Sequence, residues 1–289
     1  MSRKSVADEL GRRGAGERGW LSLPRHVVLL GATLLILLPG YFMIVTALKS
    51  LPNYAADKFG FPDPLFFGNF VTAMRGGRFL LWFMNSVIMS VGAVVISTTA
   101  SALAAFAFAR MRFPIRNTLL SIVTSLMVVP PVVMLVPLFL LLSRLNMTST
   151  YWGATFVYAG LITPFSVYLL TNFFKTIPHE VLESALIDGA SPMDILRKIL
   201  LPLSGPALVA LIVVNATWVW NDLLVALVLL PNDRLRTLMV GVTVFGQRYN
   251  SDVPVAMAGM LMASAPMILL YIFGQRYFIR GMVAGAIKG

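Results

Sequence analysis

Lys175-Thr-Ile-Pro178-His-Glu-Val-Leu-Glu183-Ser-Ala185-Leu-Ile-Asp188-Gly189-Ala-Ser191-Pro192-Met-Asp194-Ile-Leu-Arg197-Lys198-Ile199-Leu-Leu201-Pro202 is a charged interruption between two long apolar runs, Tyr151–Phe173 and Gly205–Leu230. Pro178 suits the first turn of a helix, where its missing N–H has no partner to lose. Val181, Leu182, Ala185 and Leu186 then share one face. Gly189 can end that helix by taking a left-handed conformation. Ser191-Pro192-Met193-Asp194 is a second start signal, with serine as N-cap, proline as first helical residue and aspartate as the reciprocal capping acid. The stretch reads as two short helices around a Gly-containing turn. Projecting from a bundle, such a unit suits the docking of a soluble partner.

The flanking runs belong to a larger pattern. Six apolar segments, His26–Leu48, Asn85–Ala109, Leu119–Leu142, Tyr151–Phe173, Gly205–Leu230 and Pro254–Phe273, each reach the ~20 residues that a membrane helix needs. Asp222 is the one formally charged side chain within them. Only 12% of the 289 residues are charged and mean hydropathy is +0.82. One water-soluble core of this size cannot hide so much apolar surface, so the expected fold is an all-α membrane protein of six transmembrane helices. Alternating ten-residue strands, the mark of a membrane barrel, are absent from the sequence.

The net charge of +11 would suggest nucleic acid in a soluble chain. Here the cations lie between apolar runs and read as an orientation signal, with no nucleic-acid partner. Fifteen Lys and Arg fall on the side of both termini and of the 175–204 loop, against eight on the other, which places both termini in the cytoplasm. Residues 1–25 read as a polar, Gly/Arg-rich, disordered cytoplasmic tail, and 26–289 as one membrane domain of six helices. Phe67–Met84, mixing aromatics with Arg75 and Arg78, suits an interfacial helix. The Pro130-Pro131 pair predicts a shaped helix in the third run.

Charged residues inside a span are costly and mark function by default. Asn215, Trp218 and Asp222 stand at i, i+3 and i+7, so a continuous helix puts them on one face, with Asn221 beside it. Carboxylate, amide and indole together suit a polyhydroxylated ligand, and Asn215, Trp218, Trp220, Asn221 and Asp222 are candidate substrate-path residues. The alternative is an interhelical hydrogen-bonding site. No catalytic set, phosphate-cradling loop or metal cluster is visible, so the chain itself is expected to bind no cofactor and hydrolyse no ATP.

At the 175–204 loop the chain resembles the permease subunits of binding-protein-dependent ABC importers. These carry Glu-Ala-Ala, three residues, Gly, nine residues, Ile-x-Leu-Pro. Glu183, Ala185, Gly189, Ile199, Leu201 and Pro202 fall at those spacings, with Ser184 in place of the first Ala. Asn69-Phe70, Asn85-Ser86, Trp220-Asn221-Asp222-Leu223-Leu224, Arg236-Thr-Leu with Gly241, and the ending Gly281–Gly289 are similar to the carbohydrate branch, in the manner of the maltose-type second permease subunit. The resemblance implies a type I importer bundle in a prokaryotic inner membrane. It implies a heterodimer with a second permease, two ATP-binding subunits and an extracytoplasmic solute-binding protein. Glu183, Ala185, Asp188, Gly189 and Pro202 would couple the chain to the ATPases. Sugars, oligosaccharides and polyols are the expected solutes, with glycerol phosphates open as an alternative. An ion-driven secondary transporter would want inverted repeats and further ionisable residues near the midplane.

Overall fold

The computed structural model describes residues 3–75, 78–248 and 252–286, with side chains described for 24–75, 78–243 and 252–275. Helix α1 (Arg3–Ala47) leads through a short α2 (Leu51–Ala56) and α3 (Gly68–Arg75) into α4 (Phe79–Arg110). Helix α5 (Arg116–Ser125) and a 3-10 turn precede α6 (Pro131–Arg144), and α7 (Tyr151–Thr176) returns. The loop helices follow: α8 (His179–Ile187), then α9 (Pro192–Asp194), a π-helical stretch (Ile195–Leu200) and α10 (Leu201–Leu203). The chain closes with α11 (Gly205–Asn221), α12 (Leu224–Leu229), α13 (Leu238–Arg248) and α14 (Val253–Ala286). The backbone of the segment expected as a disordered tail is drawn as part of α1 from Arg3, and its side chains lie outside the described residues. So do those of the Gly281–Gly289 ending.

The fold is all-α and membrane-embedded, but its spans are not six plain rods. Among the described residues four helices are long and apolar enough to cross a bilayer: Pro24–Ala47, Phe79–Arg110, Tyr151–Thr176 and Val253–Gln275. Six result only if two bent pairs each count as one span. The expected third span breaks between Arg116–Val128 and Pro131–Arg144 with a bend of 103°. Val129 precedes a proline and is extended (φ −76°, ψ 115°), as is Pro130 (φ −63°, ψ 132°), so neither can continue a helix. The expected fifth span, Gly205–Leu230, stops at Asn221 and restarts at Leu224. The second begins six residues before its expected start, at Phe79, so the interfacial helix shrinks to Gly68–Arg75.

Helices α4 and α7 form the centre of the bundle. Ala102 and Ala105 of α4 let Leu170 and Phe174 of α7 approach closely, and all four are buried. Between them Ser97 Oγ lies 3.0 Å from Thr163 Oγ1 and 3.3 Å from Ser166 Oγ. Asn215 of α11 donates to the same Ser166 oxygen at 2.8 Å, joining a third helix. Polar groups in an apolar interior must pair, so this ladder fixes the helix faces.

The two ends of the bundle differ. At one end, called here the Asn85 end, side-chain amides hold backbone carbonyls. Asn69 donates to the carbonyls of Ala47 and Lys49, which have no partner beyond the end of α1. Asn85, fully buried, donates to the carbonyls of Arg234 and Arg236 and accepts from the Tyr151 hydroxyl at 2.6 Å. Trp82 donates to the Asp233 carbonyl, and Ser86 accepts from Leu238 N–H. Gly241 faces the Trp82 ring so closely that a Cβ would stand 2.1 Å from it. At the opposite, Arg110 end, the guanidinium donates to the carbonyls of Phe174 and Ile177, capping α7 from the end of α4.

Candidate functional sites: a docking unit and a central cavity

The 175–204 unit carries the glycine stop and the second start expected from its sequence, while Pro178, expected in the first turn, stands one place earlier as an extended N-cap before His179. Asp188 ends α8 and Gly189 takes φ +81°. Ala190 N–H donates to Ala185 carbonyl and Gly189 N–H to Leu186 carbonyl, the two bonds of a Schellman ending. Ala185 and Gly189 are therefore the two poles of one turn. A Cβ at Gly189 would meet open space, so the position demands glycine through its backbone angle alone. Ser191 and Asp194 form the reciprocal capping box that opens α9. Lys198, bonded to Asp194 at 2.7 Å, and Ser191 together hold the Asp194 carboxyl at about 2, below its usual 3.8.

This unit is tied to the bundle by apolar contacts. Leu182 of α8 and Ile195, Leu196 and Leu200 of the π stretch pack with Ala102, Ala105, Leu170 and Phe174. Leu201 N–H reaches back five residues to Leu196 carbonyl, and Pro202 follows without an N–H to donate. A 77° bend then separates Pro192–Leu203 from Gly205–Asn221. The opposite face is open: Ile187 is 86% exposed, and Val181, Leu186 and Met193 are exposed beside it. Glu183 and Asp188 are exposed on the same short helix.

The five candidate path residues separate. Trp218, Asn221 and Asp222 line a cavity of about 760 Å³ together with Thr217, Pro131 and Tyr271. Asn215 instead is buried against Ser166, and Trp220 points to α14, donating to Ala263 carbonyl and meeting Phe83 edge-on. The shared face fails inside α11, where Asn215 packs against α7 while Trp218, three residues on, lines the cavity, and α11 itself ends at Asn221. Asp222 is extended (φ −69°, ψ 130°), so the 100° step per residue no longer applies to it. Its Oδ2 accepts from the Tyr158 hydroxyl at 2.8 Å and from Ala226 N–H at 3.1 Å. The carboxylate thus starts α12 while holding α7, and Tyr158 stacks edge-on against Trp218 at 6.4 Å. Tyr158 was not among the sequence candidates. Its signal was a phenol inside an apolar run, which needs a hydrogen-bond partner when buried.

Helices broken by proline and by a capping carboxylate, with a cavity at the breaks, fit a membrane permease. The chain belongs to the binding-protein-dependent transport system inner membrane component family, whose model matches residues 97–283. The first curated relatives align over about half their length. A putative ABC transporter permease of Caldicellulosiruptor is 42% identical over 147 residues, 51% of this chain and 54% of that protein. Others align nearly end to end. The osmoprotective compounds uptake permease GgtD of Synechocystis is 32% identical over 93% of both chains. The melibiose/raffinose/stachyose import permease MelC of Bacillus subtilis is 30% identical over 87% of this chain and 91% of its own. In fold, the chain matches a bacterial ABC transporter involved in alginate import, with a TM-score of 0.81 at 23% identity, covering 91% of this chain and 98% of that one.

Proposed function

We propose that the chain is one permease half of an ATP-driven importer of sugars or oligosaccharides. It pairs with a second, different permease, receives solute from an extracytoplasmic binding protein and is driven by two ATP-binding subunits that hold the nucleotide. The observation that carries this reading is the docking unit, rigid through its own caps, anchored by Leu182, Ile195, Leu196 and Leu200, and open at Val181, Leu186, Ile187 and Met193. A surface of that kind transmits a push from a soluble motor as a rigid body. It faces the cytoplasm in this reading, as the Lys/Arg count favours. Relatives named for melibiose, raffinose and stachyose and for diacetylchitobiose favour a carbohydrate. So does the cavity: its lining offers the Asp222 carboxylate, Asn221 amide, Thr217 hydroxyl and Trp218 ring, and no cation among the described residues. That set suits neutral hydroxylated solutes better than phosphate esters.

Uptake in membrane vesicles carrying the whole importer tests the reading. Gly189→Val and Glu183→Lys should insert normally and lose uptake, through lost ATPase binding or lost stimulation of ATP hydrolysis by loaded binding protein. Normal uptake by both, at normal expression, would show that this unit is not the coupling element.

A further inference from the structure

The segment between α2 and α3 has a geometry that the transport reading does not use. After α2 the chain turns back along α1 instead of rising away from it. Phe61 meets Tyr41 edge-on with ring centroids 5.9 Å apart, and Phe59 meets Phe42 at 5.7 Å. Tyr41 lies six residues before the end of α1, roughly 9 Å down the helix at 1.5 Å per residue. The loop therefore reaches back to the level of the apolar run of α1.

Irregular backbone at that depth is tolerable only if its polar groups are already paired. Here they are. The Asp57 carboxylate accepts from Phe59 N–H at 3.0 Å and from Gly60 N–H at 2.9 Å. The Asp57 carbonyl accepts from the buried Lys49 ammonium, the Phe59 carbonyl from the Tyr41 hydroxyl, and the Asp63 carbonyl from the Asn53 amide. Phe66 N–H donates to the Leu48 carbonyl. Four large apolar side chains point outward, Phe59 71% exposed, Phe61 79%, Leu65 58% and Phe67 61%, beside the exposed charges Asp57, Lys58 and Asp63.

We propose that residues 57–67 form a membrane wedge, a loop that seats its phenylalanines among the headgroups and upper acyl chains of the adjoining leaflet. A protein partner would be expected to take hydrogen bonds from loop backbone, and this loop keeps those named here to itself. It is also continuous with the α1 surface Val27–Leu38, exposed on all sides. Aromatic rings at this level match the interfacial preference of such side chains, and the exposed Lys58 can snorkel to the headgroups.

The chain contains no cysteine, which makes the test direct. Phe61→Cys, and Phe59→Cys as a second variant, would be labelled with a small fluorophore in the full chain, purified with its partners in phosphatidylcholine nanodiscs. Quenching by lipid carrying a nitroxide at the fifth acyl carbon should exceed quenching by aqueous iodide by about threefold or more, as for side chains buried ~5–10 Å into the interface. Asn232→Cys, exposed in a loop at the same end, should show the opposite preference. Preferential iodide quenching at both 59 and 61 would place the loop in water, and protection from both quenchers would place it under protein. Either result overturns the wedge. The test needs neither substrate nor ATP, so its failure leaves the transport reading untouched.

Discussion

The loops at the Asn85 end are welded to the bundle by several side chains, whereas the loop at the Arg110 end is pinned at its start by one guanidinium and otherwise seated on the bundle. At the first, the Asn85 amide and the Trp82 indole reach across some 150 residues of sequence to take backbone carbonyls of the 233–236 turn. At the second, the docking unit satisfies its own termini through Gly189, Ser191 and Asp194, and four apolar side chains bind it to α4 and α7. Directional bonds to distant backbone fix a loop in one place. Apolar seating holds a self-contained body firmly while leaving its surface free. A part that must be pushed is better built the second way.

The largest effect should therefore come from the welded end. Asn85→Ala removes three hydrogen bonds made by a buried amide and takes the donor from two turn carbonyls, which costs on the order of 3 kcal/mol. Thermal unfolding in detergent should show a clear drop, and an unchanged midpoint would remove the contrast altogether. Next is Leu182→Ala in the seat, at about 2 kcal/mol or slightly more for a buried leucine. Its signature is local: hydrogen exchange should rise in 179–200 while α4 stays protected. Uniform exchange across the bundle would mean that the unit is part of one indivisible core.

Gly189→Ala should cost roughly 1–2 kcal/mol through the left-handed backbone alone, and Gly189→Asn clearly less. Equal loss of uptake in the two variants would point to side-chain collision with a partner instead. Ser191→Ala removes the N-cap at about 1 kcal/mol, read as faster exchange of Asp194 N–H. The smallest effect is acid. Because the Asp194 pKa is lowered to about 2 from 3.8, its contribution is fully present above the unfolded value and fades as pH falls from near 3.8 through about 2. Lys198→Ala should move the Asp194 titration upward in carboxyl-detected NMR, and no movement would unseat the pairing.

The docking unit was legible because its signals are local. Proline, glycine, serine and aspartate each act within one turn of themselves, so spacing alone conveys the Schellman ending and the capping box. The 103° bend was legible only as a shaped helix, since Pro130 announces a break but not an angle. The interruption at Asp222 was hidden. Leu223 to Leu230 continues an apolar run, and hydropathy cannot separate one helix from two. The departure of Asn215 from the path was hidden too, because a helical wheel shows which residues share a face but not which neighbouring helix each one meets. Asn69 and Asn85 were recognisable as a resemblance, but their task depends on carbonyls brought from far along the chain.

The wide turn at Ile195–Leu200 has a consequence for chain length. A π stretch accommodates one residue more than the α-helical ladder needs, while its flanks keep helical phase. A wheel drawn straight through 192–203 therefore misplaces one flank by about 100°. Loss of one residue from within the stretch would close it as ordinary α-helix and leave the docking face at the same azimuth. The same loss from α8 would swing that face around the axis. The chain thus carries a spare residue where it can absorb it, between α8 and the span that follows.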